Sequence, residues 1–131
     1  MTAFRSPAEI VRGLFLDSLL FLPVLPPRPL RLVDIGAGSG IPGLPIRLVD
    51  PAVSLTLVEA KRKRVSFLHT ACRELALPDV VVIEGRAEKL VERDSALAES
   101  FDAVVARAVG SEEAMVALAL RYLKPGGVVV L

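Results

Sequence analysis

The sequence predicts an α/β fold, a mostly parallel sheet with helices on both faces, and three observations carry that expectation. Short runs of Val, Leu, Ile and Ala recur along the chain, the first four closed by a glycine or a charged residue, the pattern of strands buried on both faces. Segments with apolar residues at helical spacing lie between these runs, and alternating strands and helices imply right-handed crossovers. The 131 residues are 53% hydrophobic but only 5% aromatic, which suits one domain with an aliphatic core. We read 1–131 as a single domain, with an N-terminal helical segment over 1–29 and the α/β core over 30–131.

The first helix starts at "SPAE": Ser6 can cap, Pro7 suits the first turn, and Glu9 can complete a capping box. It is expected to run to about Leu20, where "PVLPPRP" ends it. "LRLVDI" at 30–35 is the first buried strand, and a short helix is expected over about 44–49, past a glycine-rich loop. "SLTLVEA" at 54–60 is the second strand. Val65, Leu68, Cys72 and Leu75 then mark a helix between Lys61 and Ala76. "DVVVIEG" is the third strand, followed by a short helix near 86–98, and "FDAVVAR" at 101–107 is the fourth. Ser111 caps the next helix, Glu112 and Glu113 favour its positive end, and the helix continues to Leu123. "KPGG" is expected to turn the chain into a fifth strand, "VVVL".

Bulk properties exclude some classes. The net charge is +1, so no broad field points to nucleic acid or membrane, although a local patch would suffice for RNA. "LFLDSLLFLPVLPP" is too short for a bilayer span and is interrupted by Asp17 and three prolines. The single cysteine, Cys72, cannot build a disulfide framework, and a cytoplasmic setting is expected. Cys72 reads as a core residue and the lone His69 as a helix-surface one. No metal site is expected, and a monomer is the default.

In a parallel sheet of this kind ligands bind beyond the carboxyl ends of the strands, here just after 35, 59, 84 and 106. After the first strand, "GAGSGIPG" places glycine at 36, 38, 40 and 43, more than a tight turn needs, so a ligand is expected to lie on the backbone there. Glu59 ends the second strand about 20 residues further on, where an acid can accept both hydroxyls of a ribose. Ala87 and Glu88 follow the third strand and can read an adenine edge, or simply open a helix. Arg107 follows the fourth strand and can bind a cofactor carboxylate, a substrate phosphate, or Asp34 as a structural pair.

Two nucleoside cofactors fit. Gly38, Gly40 and Gly43 satisfy the dinucleotide fingerprint G-x-G-x-x-G, but Pro42 and Pro45 bracket Gly43, which therefore reads as still entering the helix. Asp34 suits a positively charged ligand, which favours S-adenosylmethionine.

"LVDIGAGSGIPGLPIRL", "LVEAKRKRVSFL", "EGRAEKL", "FDAVVARAV" and "LKPGGVVVL" resemble, in order and spacing, the small-subunit (16S) ribosomal RNA guanine-N7 methyltransferases, also called glucose-inhibited division protein B. The resemblance covers nearly the whole chain. It implies a Rossmann-like class I methyltransferase fold, S-adenosylmethionine as cofactor, and small-subunit ribosomal RNA or the 30S particle as partner. Carried over by position, it places cofactor contacts on Gly36, Ile41, Ala87, Glu88 and Arg107. Relatives usually begin earlier and continue past the fifth strand, so truncation at both ends is expected. Leu14 also stands where the resemblance leads one to expect histidine.

Guanine N7 has an exposed lone pair, so such a transfer needs no general base and rests on positioning. No catalytic side chain is expected beyond a role for Arg107. Lys61, Arg62, Lys63 and Arg64 read either as a solvated helix face or as an RNA phosphate patch beside the cleft. Two other functions compete: an NAD(P)-binding oxidoreductase domain, and an inactive remnant that binds cofactor or RNA.

Overall fold

Strands whose successive side chains alternate between two covered faces must be apolar throughout, and the chain builds its sheet from such runs. The computed structural model describes residues 6–9, 19–106 and 111–131. The strands are β1 (Leu30–Ile35), β2 (Val53–Glu59), β3 (Val81–Glu84), β4 (Phe101–Ala106) and β5 (Leu123–Val130). The helices between them are α1 (Gly43–Val49), α2 (Arg62–Glu74), α3 (Ala87–Arg93) and α4 (Glu112–Tyr122). The sheet is parallel, in the order β3-β2-β1-β4-β5. The chain winds outward from β1 through β2 to β3, then returns to β4 on the other side of β1. The switch in direction therefore lies between β1 and β4, where an open sheet forms its ligand crevice.

The alternation divides the core in two. Leu30, Leu32, Leu55 and Leu57 pack on one face with Leu44 and Ile46 of α1 and Leu68 and Ala71 of α2. Val33, Ile35, Val58 and Val104 pack on the other with Ala87 and Val91 of α3 and Ala119 and Tyr122 of α4. Helices thus cover both faces, as the sequence predicts, and the fold is the α/β class expected.

Two local expectations change, and a third lies mostly outside the described residues. Ser6 does cap, its hydroxyl accepting the Glu9 N–H at 3.2 Å, but most of the predicted first helix and Leu14 lie outside the described residues. The chain over Leu19–Val24 is a 3-10 helix, because Pro23 lacks an N–H and its ring crowds the carbonyl an α-helix would place four residues back. The fourth helix ends at Tyr122, and "LKPGG" is no turn before the fifth strand but part of it. Phe101 pairs with Leu123 and Ala103 with Val128, so three extra residues bulge out around Gly126, whose φ is +85°. At the other end of the core, the Arg28 guanidinium grips Asp50 at 2.7 Å and holds its carboxyl below the usual carboxylate range. Among the described residues, no helix is long and apolar enough to cross a membrane.

Candidate functional site

Strand register brings the predicted positions to one level: Ile35 pairs with Val58 and with Ala106, and Glu59 with Glu84. Backbone bonds then stitch the strand ends together. The Gly36 and Ala37 N–H groups donate to the Val58 carbonyl at 2.9 and 3.0 Å, and the Gly85 N–H to that of Glu59 at 2.9 Å. Over these ends opens a cleft of about 800 Å³. It is lined by Gly36, Glu59, Ala87 and Glu88 of the expected cofactor set, and by Lys61, Arg62 and Arg64 of the basic set.

Gly36 and Gly38 have φ of +69° and +56°, a region costly for any other L-residue. A Cβ added at Gly36 would meet nothing within 4 Å, so it would project into open space on the cleft wall. That is a cradle in which a ligand can touch bare backbone.

Glu59 is only 4% exposed, and both its oxygens are engaged. Oε1 accepts the Gly38 N–H at 2.9 Å and Oε2 the Lys61 N–H at 2.8 Å. The sequence suggests an acid free for a ribose. The structure adds a clamp between the glycine loop and the start of α2. Each carboxylate oxygen has two lone pairs, so the clamp leaves capacity for a hydroxyl on each.

Other expected positions fall elsewhere. Ile41 is 8% exposed and packs in the core beneath the loop. Gly38 and Lys63 adjoin the cleft without lining it, and Lys63 is exposed at the start of α2. Arg107, with Ala108, lies outside the described residues. Asp34 is 1% exposed, and its Oδ2 accepts the Gly43 N–H at 3.1 Å. Its carboxylate therefore supports the positive end of α1; it is not a wall of the cleft.

Gly43 corrects the sequence reading. It is the first residue of α1, and a Cβ there would come within 2.9 Å of Asp34 Oδ2 and 3.0 Å of Leu57 Cδ2. This is the close helix-to-strand packing that a dinucleotide site also uses, so the third glycine does not separate the two cofactors. The start of α1 does. Pro42 and Pro45 have no N–H, the Gly43 N–H is held by Asp34, and the Leu44 N–H by the Gly40 carbonyl at 2.7 Å. A pyrophosphate needs free amides at that helix end, and those of Gly43, Leu44 and Ile46 are already bonded within the protein.

Sequence reasoning passed over Arg86 and Leu118, which also line the cleft. Arg86 was visible as the residue between a strand end and a helix start. Leu118 comes from α4, far along the chain, and only the apolar stripe it shares with Tyr122 four residues on could have marked it. Cys72 and His69 flank a separate groove beside α2 and β3. Burial pushes the Cys72 thiol up, away from the thiolate a nucleophile needs.

Comparison with known proteins adds the lineage. Residues 1–131 match the GidB family model, rRNA small subunit methyltransferase G. Ribosomal RNA small subunit methyltransferase G of Sorangium cellulosum is 41% identical over 133 residues, covering 100% of this chain and 55% of that protein. Its namesake in Desulfitobacterium hafniense is 39% identical over 127 residues, covering 97% of this chain and 52% of its own. The chain thus spans about half the length of the curated relatives it matches. Among solved structures, a methyltransferase from Thiobacillus denitrificans in complex with S-adenosyl-L-homocysteine superposes with a TM-score of 0.64 at 19% identity, over 86% of this chain and 46% of that one. M. jannaschii TYW2 in complex with AdoMet gives 0.68 at 18%, over 86% and 49%. At these identities the likeness establishes the Rossmann-like class I methyltransferase fold.

Proposed function

Because the chain belongs to the rRNA small subunit methyltransferase G family, we propose that it serves S-adenosylmethionine-dependent methylation of guanine N7 in small-subunit ribosomal RNA. The observation that carries the cofactor assignment is the contrast between two sites: the start of α1 is closed to a pyrophosphate, while Gly36, Glu59 and Ala87 surround an open cleft. The same contrast disfavours the NAD(P) alternative.

The residues present fit the cofactor. Gly36 offers bare backbone to its amino-acid tail, the Glu59 oxygens accept the ribose hydroxyls, and Ala87 and Glu88 meet the adenine edge. Arg107, the residue that follows β4 in the sequence, is assigned to the cofactor carboxylate or a substrate phosphate. When bound, the cofactor supplies an activated methyl group on a sulfonium. The chain's own residues fix its orientation and exclude alternatives; guanine N7 carries a free lone pair, so no residue here needs to remove a proton. Cytoplasmic RNA, naked or in the 30S particle, is the substrate in this reading.

Acids and bases share the cleft lining: buried Glu59 and exposed Glu84 and Glu88 lie alongside exposed Lys61, Arg62, Arg64 and Arg86, with Arg62 paired to Glu84 at 3.7 Å. The acids suit the cationic cofactor and the exposed bases suit RNA phosphates. Replacing Lys63 and Arg64 together by alanine should weaken RNA binding and reduce the slope of log affinity against log salt by roughly 1.5. Titration across salt concentrations measures it, and an unchanged slope would make these residues a solvated helix face.

Tritiated methyl transfer to undermethylated small subunits tests the activity. The reading expects incorporation at a guanine of the small-subunit RNA. Cofactor binding without incorporation would leave this chain as a binding remnant.

A further inference from the structure

Helix α4 reaches the cleft from behind. Leu118 lines it, and one turn on, Tyr122 is 0% exposed, its hydroxyl donating to the Ala87 carbonyl at 2.6 Å. The ring is set by packing: its centroid lies 6.1 Å from that of Phe101, tilted by 47°. Phe101 is in turn covered by the Arg31 guanidinium, 4.6 Å from its centroid. Core contacts thus fix where the hydroxyl is, and the hydroxyl fixes the Ala87 carbonyl. Burial, reinforced by the negative charge of Glu88, pushes the phenol up to about 12, so it remains a donor at neutral pH.

A trans peptide is planar, with its C=O and N–H antiparallel. Gripping the Ala87 oxygen therefore orients the Glu88 N–H away from Tyr122. Resting on the reading above that adenine lies beside Ala87, we propose that Tyr122 is a positioning residue for base recognition. It holds the 87–88 peptide so that an amide donor and the neighbouring Glu88 carboxylate face the base together. Adenine presents an acceptor at N1 and a donor at its 6-amino group, the complement of that pair. Hypoxanthine presents a donor at N1 and an acceptor at O6, and is rejected at both positions.

Calorimetry with S-adenosylhomocysteine and S-inosylhomocysteine, on wild type and Tyr122→Phe, tests the proposal. Wild type should prefer the adenosyl ligand at least about tenfold, the scale of a lost buried hydrogen bond. Tyr122→Phe keeps the ring packing, and should lose about tenfold for the adenosyl ligand with little change for the inosyl one, so the preference collapses. A preserved ratio in the folded variant would make the hydroxyl a core partner only and overturn the proposal. A wild type that binds neither ligand would instead remove the cofactor reading, and this proposal with it. Should the variant not fold, wild type alone suffices: the Glu88 amide resonance should move downfield on saturation with the adenosyl ligand. A resonance that stays in place would also overturn the proposal.

Discussion

Gly36→Val should abolish binding of S-adenosylhomocysteine, weakening it by at least about 100-fold, while the protein still folds. The two effects have separate causes. Valine at a φ of +69° is strained, costing about 2 kcal/mol of stability. The added Cβ has no neighbour within 4 Å, so the strain is in the backbone and not in a clash at the Cβ. Its methyl groups fill the cleft wall on which the ligand is to lie. Thermal unfolding and calorimetry read the two effects independently. Undiminished affinity in a folded Gly36→Val protein would place the ligand elsewhere.

Glu59→Ala should be the most damaging substitution in the cleft, because it acts on fold and ligand together. It strands the Gly38 and Lys61 N–H groups that the carboxylate now holds at 2.9 and 2.8 Å. Losing charge-assisted bonds in a nearly buried site costs about 2–4 kcal/mol. It also removes the acceptors assigned to the ribose. Glu59→Gln separates the contributions: an amide has one carbonyl oxygen to accept with, and its NH₂ faces one of the two backbone donors. Stability should fall part of the way, and cofactor affinity nearly as far as in the alanine variant. A glutamine variant with wild-type affinity would leave Glu59 as a loop clamp only.

The framework of the site was legible because its punctuation is chemical. Apolar runs stop at Ile35, Glu59, Glu84 and Ala106, each followed or closed by glycine or a charged residue, so the four ends could be named before they were seen together. Gly36, Glu59, Ala87 and Glu88 do share one cleft. What escaped reading depends on contacts distant in sequence or on where a side chain turns. Asp34 alternates to the face of α1, which no count of residues to the glycine loop reveals. Gly43 packs against Leu55 and Leu57, a contact set by how closely α1 sits on the sheet. The bond from Tyr122 to Ala87 spans 35 residues and requires both helices to be in place. "LKPGG" looks like a turn by composition, yet it is a bulge within β5 because the pairing resumes at Val128.

The most direct measurement is calorimetric titration of the folded protein with S-adenosylhomocysteine and, separately, with NADH. An adenosyl ligand seated between Gly36, Glu59 and Ala87 predicts saturable one-to-one heat with the first and none with the second. Heat from NADH and none from S-adenosylhomocysteine would contradict it.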